Sequence, residues 1–380
     1  MRVVDVAIIG GGPAGMSAAC AAKEAGAEKV LVNLVNHMDP SKFDISVIAL
    51  FGGGVNEQFL APHVHFRSIW KRSIPGNSHL MKLLSPKQLH KLCVKEHYDI
   101  EVSYLEGPSA RIISGCRHKD TKLACWLHCT MHSQKELAQS FRTKKEALQC
   151  YRRFDALAFV SKEVKQAFLQ YCPTKALQKV LYNTNQSDLI LEKAKVPLST
   201  PFPSADFHWC GIGKLDKNKG FDRMLRIQNR LVREGYRTCL HIMGTGPMEA
   251  DLKKYVTEEN LDHSVCFEGY QTNPYRYLRN CDFYVCASHT EGFSTAATEA
   301  LIVGTPVCTV EVSGMKEMLG ANNEYGIVTD NTEDALYKGI KKLLDNPALL
   351  QHYTQQASLR GRDFRTEETV RAVEEMLIAL

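Results

Sequence analysis

Ser288-His289-Thr290-Glu291-Gly292-Phe293-Ser294-Thr295-Ala296-Ala297-Thr298-Glu299-Ala300 follows the short apolar run 282–286 and ends shortly before Gly304-Thr305-Pro306. The run predicts a strand. A helix should start near Ser294 and stop at the glycine and proline. The backbone N–H groups of Gly292, Phe293, Ser294 and Thr295 would then form a helix N-terminus, a ready site for an anion. Glu291 precedes the helix, where a carboxylate is often a cap. Glu299 lies inside the otherwise apolar stretch from Ala296 to Val303.

Two more segments repeat the scheme of strand, glycine turn and helix. The first is Gly211-Ile212-Gly213-Lys214-Leu215-Asp216-Lys217-Asn218-Lys219-Gly220-Phe221-Asp222. Glycines allow close backbone approach to a phosphate, and Lys214 and Lys219 could converge on one diphosphate. A solvated basic loop is the alternative reading. The second is Leu240-His241-Ile242-Met243-Gly244-Thr245-Gly246-Pro247, a weaker signal that puts Gly244 and Gly246 on the same sheet edge. Ligands of open parallel sheets bind at such carboxyl ends. The buried carboxylate expected at Glu299 needs partners, and sugar hydroxyls are good ones.

Outward from these segments, short apolar runs alternate with amphipathic stretches. Strands are predicted near 3–9, 43–50, 99–104, 121–127, 156–160 and 178–182, then near 207–211, 238–243, 264–267, 282–286, 306–309 and 326–328. Helices are predicted at 86–96, 141–152, 162–171, 220–234, 247–259, 294–303 and 332–344. This alternation implies an α/β fold of parallel sheets with helices on both faces. Pro197, Pro201 and Pro203 mark 193–207 as a linker. The expected division is a Rossmann-like domain over 1–192, a second over 208–363 and a terminal helix over 364–380 crossing back to the first.

The 380 residues are 44% hydrophobic and 23% charged, an ordinary soluble composition that excludes disorder or coiled coil as a description of the whole. No run of about 18 apolar residues predicts a membrane span, and the start does not read as a signal peptide. Thirteen cysteines without a C-x-x-C pair argue against a zinc site and a disulfide framework. Free, mostly buried thiols are expected, with Cys125, His128 and Cys129 as a weaker metal-binding alternative. Residues 1–185 hold 25 Lys/Arg against 15 Asp/Glu, whereas 186–380 hold 22 against 27. Much of the basic excess lies between Arg67 and Lys95, mixed with Trp70, Leu80, Leu83, Leu84 and Leu92. This mixture suits an anionic membrane surface; two amphipathic helices with solvated charges are the alternative. No recognition motif for nucleic acid accompanies the charge.

The segments resemble the retaining, nucleotide-sugar-dependent glycosyltransferases of family 4, which have the two-Rossmann GT-B architecture. Glu291 and Glu299 match the family's E-x7-E signature, and Gly213 to Asp222 match its G-[RK]-L-x4-KG-F-D segment. The resemblance spans about residues 26–380. It implies that Lys214 and Lys219 hold the donor diphosphate, with Gly213 beside them. It also implies that Glu299 binds the nucleotide ribose, that Glu291 lies by the donor sugar, and that amides at Gly292 to Ser294 seat the sugar and phosphates. Lys214 stands where the family usually has Arg and lacks the planar fork. Glu101 to Gly107 and Trp126-Leu127-His128 resemble the acceptor domain of polysaccharide-forming members. The resemblance makes His128 the candidate to face the donor sugar; a structural histidine is the alternative. The acid that often follows it is replaced by Cys129 and Thr130. No D-x-D motif is present, and two lysines with a helix N-terminus would stabilise the leaving group without a metal.

Residues 3–15 tell another story. Gly10, Gly12 and Gly15 follow a strand and open a helix, a dinucleotide fingerprint that resembles the start of FAD-dependent oxidoreductases. No acid ends the stretch 28–36, where a ribose-binding carboxylate would stand, so FAD is not expected. A helix from about residue 14 is predicted, broken or kinked at Gly26. Gly11 and Gly12 would offer amides to a donor or acceptor phosphate. The expectation is therefore a glycosyltransferase that needs no cofactor, using a UDP-sugar in preference to a GDP-sugar. Its acceptor would be lipid-linked or a polysaccharide, at the cytoplasmic membrane face. An FAD/NAD-binding oxidoreductase and an inactive relative are the alternatives.

Overall fold

The computed structural model describes residues 3–10, 18–53, 56–71, 81–291, 293–312 and 314–380, with the backbone alone for 18–27. Gly11, Gly12 and Gly292 lie outside the described residues. The chain forms two units, Met1–Asn185 with Thr366–Leu380 and Gln186–Arg365.

The first unit is built on a seven-stranded parallel sheet. Its strands are β1 (Val4–Gly10), β2 (Phe43–Phe51), β3 (Val64–Trp70), β4 (Ile100–Ser103), β5 (Lys122–Leu127), β6 (Ala156–Phe159) and β7 (Leu177–Val180), in the order β3-β2-β1-β4-β5-β6-β7. Val6, Ala7, Ile8 and Ile9 are all buried, because a central parallel strand is covered on both faces. Strand β3 is not among the strands that the sequence pattern predicts. Val64-His65-Phe66-Arg67-Ser68-Ile69-Trp70 mixes charge into a short run and reads as the start of the basic stretch. It lies at the end of the strand order, paired with β2, where its polar side chains stay partly in water.

Helix Ala18–His37 runs unbroken through Gly26, against the break predicted there. Burial of Val30, Leu31, Leu34 and Val35 offsets the cost of about 1 kcal/mol for an interior glycine. Residues 28–32 are thus helical, and β1 pairs with β2 and β4. The terminal helix Thr366–Ile378 adds Val370, Val373, Met376 and Leu377 to this core. Glu374 accepts from the Asp39 amide at 2.8 Å and from Lys42 Nζ at 3.2 Å.

The second unit has six parallel strands, β8 (Phe207–Ile212), β9 (Thr238–Met243), β10 (Val265–Gly269), β11 (Phe283–Cys286), β12 (Val307–Val310) and β13 (Ile327–Thr329), in the order β10-β9-β8-β11-β12-β13. Numbered within each unit, both sheets begin 3-2-1-4-5-6, so the strand order reverses between β8 and β11 as it does between β1 and β4. Ligands of doubly wound sheets bind at such a reversal, beyond the carboxyl ends of the strands. Helix Phe221–Arg233 buries Met224, Leu225 and Leu231 on the sheet. Ser294 caps Thr295–Val303 by accepting from the Ala297 amide, and Gly304 closes that helix at φ +89°.

The chain passes between the units at Asn185 and Gln186, ahead of the proline-rich linker predicted at 193–207. Residues Ser187–Ala194 form a helix whose Ile190 and Ala194 are buried, and Asn273 donates to the Lys193 carbonyl at 2.9 Å. Packing against the second unit thus claims this helix before the prolines are reached. No helix among the described residues is long and apolar enough to cross a membrane.

Candidate functional site

The loops beyond β8 and β11 are held to one another. The Lys219 amide bonds Asp216 Oδ1 at 3.2 Å, which shapes the turn. Asn218 donates to the Thr290 carbonyl at 2.9 Å and accepts from Thr290 Oγ1 at 2.7 Å. Gly220 has φ +67°, and a Cβ there would stand 2.1 Å from the Ala287 carbonyl oxygen. Only glycine lets the turn press this closely on the end of β11.

Lys219 and Glu291 come together across this junction. Lys219 Nζ lies 2.6 Å from Glu291 Oε1, and Ser288 Oγ donates to the same oxygen at 2.7 Å. Burial opposes the charge on Lys219, but the Glu291 carboxylate outweighs it and raises the ammonium above its ordinary pKa. Lys214 is exposed one loop turn away. It lines a cavity of about 520 Å³ with Gly213, Gly244, Thr245, Tyr270 and Pro274.

Gly244 and Gly246 have a different immediate reason from phosphate approach. Gly244 has φ +143°, and its Cβ would fall 1.9 Å from the Gly213 carbonyl oxygen; that of Gly246 would fall 2.4 Å from the Leu215 carbonyl oxygen. These glycines let the β9 loop lie on the β8 loop, and Leu215 N–H donates to the Thr245 carbonyl at 3.0 Å.

On helix Thr295–Val303, Glu299 is half-buried and accepts from Tyr275 Oη at 3.1 Å. Burial, then the Glu299 charge, push the Tyr275 phenol up, so it stays a donor. Phe293 is buried with its ring centroid 6.1 Å from that of Phe364. The Ser294 hydroxyl is engaged in capping, and the Thr295 side chain is exposed.

In the first unit His128 directly follows β5 beside Glu106, whose Oε2 accepts from the His128 amide at 2.9 Å. The ring lies 5.0 Å from Tyr104 and 6.4 Å from Trp126. Burial lowers the His128 pKa, with Glu106 opposing. Nε2 is buried without a hydrogen-bond partner. The acid that stands beside His128 is Glu106, from the loop after β4. Only the pairing of Ser103 with Cys125 brings them together, so no spacing could have revealed it. The twelve described cysteines are free, and all but Cys129 and Cys266 are buried.

Three family models match the chain: glycosyl transferases group 1 over 199–360, glycosyltransferase family 4 over 25–184, and an FAD binding domain over 5–41. A Campylobacter jejuni relative is an N-acetylgalactosamine-N,N'-diacetylbacillosaminyl-diphospho-undecaprenol 4-alpha-N-acetylgalactosaminyltransferase. It is 26% identical over 351 residues, 89% of this chain and 92% of that protein. The lipopolysaccharide core biosynthesis glycosyltransferase LpsD of Rhizobium meliloti is 28% identical over 47% of this chain and 50% of its own length. Among solved structures, Anabaena HepE in complex with UDP superposes with a TM-score of 0.74 at 17% identity, covering 100% of both chains. The two glycosyltransferase models divide the chain as its two sheets do, with the glycine-loop junction in the second, and the chain belongs to the glycosyltransferases of GT-B fold.

Proposed function

We propose that the protein moves a sugar, with retention of configuration, from a nucleoside-diphosphate sugar to a lipid-linked or polysaccharide acceptor, and prefers UDP to GDP donors. The observation that carries this is the convergence of Lys219, Glu291 and a capped helix N-terminus where the strand order reverses. The undecaprenol-linked acceptor in the name of the Campylobacter relative and the UDP in the Anabaena complex support the reading.

In this reading Lys214 and Lys219 meet the diphosphate and stabilise its charge as the glycosidic bond breaks. Amides at Phe293 and Ser294 share that charge. Glu299, oriented by Tyr275, accepts from the ribose hydroxyls. Glu291 lies at the sugar, and releasing Lys219 to the diphosphate leaves Ser288 Oγ as the donor on its Oε1. His128, kept neutral by burial, offers its unpartnered Nε2 to a sugar hydroxyl. No protein nucleophile is assigned, and the acceptor attacks from the leaving-group face. The basic stretch 67–95 holds the enzyme at the inner face of an anionic membrane.

The match of residues 5–41 to an FAD-binding model favours a second reading. Against it, residues 28–32 are helical, and the strand after that helix ends at Phe51-Gly52-Gly53 with no acid for a ribose. We therefore propose that no flavin is bound. Saturation-transfer NMR against UDP- and GDP-sugars tests the main reading, and the anomeric coupling of the product tests retention. Binding of neither donor class, or flavin absorbance near stoichiometric occupancy, would overturn it.

A further inference from the structure

Three neighbouring strands of the second sheet carry a group of metal-binding side chains away from the loops described above. Trp209, Leu240 and Ile242 belong to the apolar core on one side of the sheet. Alternation sends His208, Cys239, His241, Cys266 and Glu268 to the other. His208 pairs with Cys239 and His241 with Cys266 in the strand register, so all five share one face.

His208, Cys239 and His241 have donor atoms mutually within 4.8 Å, as do His241, Cys266 and Glu268. His208 Nδ1 lies 3.1 Å from His241 Nε2, and Cys239 Sγ lies 3.7 Å from Cys266 Sγ. Around tetrahedral zinc, bond lengths of about 2.3 Å to sulfur and about 2.0 Å to nitrogen put two sulfurs roughly 3.8 Å apart and two nitrogens roughly 3.3 Å apart. Both observed separations are close to these edges. Glu268 Oε1 lies 2.8 Å from His241 Nδ1. A proton held there by the carboxylate leaves the Nε2 lone pair for a metal, the usual support of a ligating histidine. The ring of Phe202 stacks on His241 at 3.8 Å and screens the group.

We propose that His208 Nδ1, His241 Nε2 and the Cys239 and Cys266 thiolates bind one zinc ion, with Glu268 orienting His241. The two triplets share His241 and draw together around the ion. Both thiols lose their protons to solvent as the two Zn–S bonds form. His208 and Cys239 are each the second residue of their strand. The site therefore sits toward the amino ends, opposite the carboxyl-end loops of Lys219 and Glu291, and ties β8, β9 and β10 together as a structural metal. The site carries no C-x-x-C signature because its residues follow strand spacing, Cys239-x-His241 and Cys266-x-Glu268.

The test uses the full chain, purified reduced and stripped with a chelator, then titrated with cobalt(II). One equivalent should bind with thiolate-to-cobalt charge-transfer absorption, and zinc should displace it and raise the melting temperature. Cys239→Ser and Cys266→Ser should abolish that absorption, whereas Cys308→Ser, a buried thiol elsewhere in the sheet, should keep it. Should the serine variants fail to fold, Glu268→Gln is the second probe, with zinc affinity weakened about 10- to 100-fold. Absence of charge transfer in the unaltered protein, or its survival in Cys239→Ser/Cys266→Ser, would overturn the site. A Cys239–Cys266 disulfide in protein that takes up no cobalt would do the same.

Discussion

The ammonium of Lys219 lies 2.6 Å from Oε1 of Glu291. The cation proposed for the donor diphosphate is thereby paired with the carboxylate proposed for the donor sugar. Nucleotide and carboxylate must share one charge, so the two residues should not act independently. Lys219→Ala should lower nucleoside-diphosphate affinity by about 1.5–3 kcal/mol, the worth of a charge-assisted hydrogen bond. Glu291→Gln should mainly lower turnover. A double-mutant cycle should show coupling on the order of 1 kcal/mol. Calorimetry with UDP reads the affinities and their coupling, and a sugar-transfer assay reads turnover; unchanged affinity in Lys219→Ala would sink the assignment.

Glu299 should behave differently. Glu299→Gln removes a charged acceptor and should weaken UDP binding. Tyr275→Phe deletes only the 3.1 Å bond to Glu299 and should cost about 1 kcal/mol of that affinity. Equal effects of Glu299→Gln and Glu291→Gln on UDP affinity would refute the division of roles.

Gly244→Ala should uncouple the loops. Its Cβ would overlap the Gly213 carbonyl oxygen at 1.9 Å at a φ of +143°. Backbone strain alone costs roughly 1–3 kcal/mol, and the overlap must push the 213–215 turn aside. Melting temperature and UDP affinity should fall together. Gly235→Ala is the control: φ is +91°, with nothing within 4 Å of the added carbon. It should lower stability without touching UDP affinity; parallel losses in both variants would argue against the loop mechanism.

A buried pair in the first unit sets a pH dependence. His90 Nε2 lies 2.7 Å from Glu101 Oε2, with Cys116 Sγ on the other carboxylate oxygen at 3.5 Å. Burial opposes the imidazolium, yet Cys116 and Glu101 outweigh it and raise the His90 pKa to about 9. The folded value exceeds the ordinary one near 6.5, so the stabilisation is full below about pH 6.5 and fades as pH rises through about 9. Urea unfolding should show a loss of up to about 3 kcal/mol across that window, and His90→Gln should flatten it. An identical slope in the variant would exclude His90 as the source.

Membrane attachment should depend on salt. Leu83 and Leu92 are exposed, by 73% and 46%, among Lys82, Lys87, Lys91 and Lys95. The protein should float with anionic vesicles and be released as salt rises, since screening falls to about 8 Å at physiological ionic strength. Lys87→Glu/Lys91→Glu should weaken flotation. Binding that ignores both salt and charge reversal would remove the idea.

Much of this was legible in the sequence for a local reason. The stretches 207–233, 238–258 and 282–304 each carry strand, glycine turn and helix in one continuous segment, so their order alone places them on one sheet edge. What could not be read depends on which strands become neighbours. Lys219 meets Glu291, and Glu106 meets His128, only because β8 adjoins β11 and β4 adjoins β5. Strand β3 was hidden by the opposite effect: as an outer strand it needs little apolar surface, and Arg67 and His65 erased its pattern. The linker was misplaced because prolines mark where regular structure stops, whereas Ile190 and Ala194 decide which core claims the chain.

The terminal helix has a consequence for synthesis. Residues 186–365 leave the ribosome before Thr366–Ile378, so the second unit can finish folding while the first still lacks its last piece. Until then the seat for Val370, Val373, Met376 and Leu377 stays open, an apolar patch on a nascent chain. Chaperones that recognise such patches would find one late, brief target here, and a chain stalled near residue 365 would display it permanently.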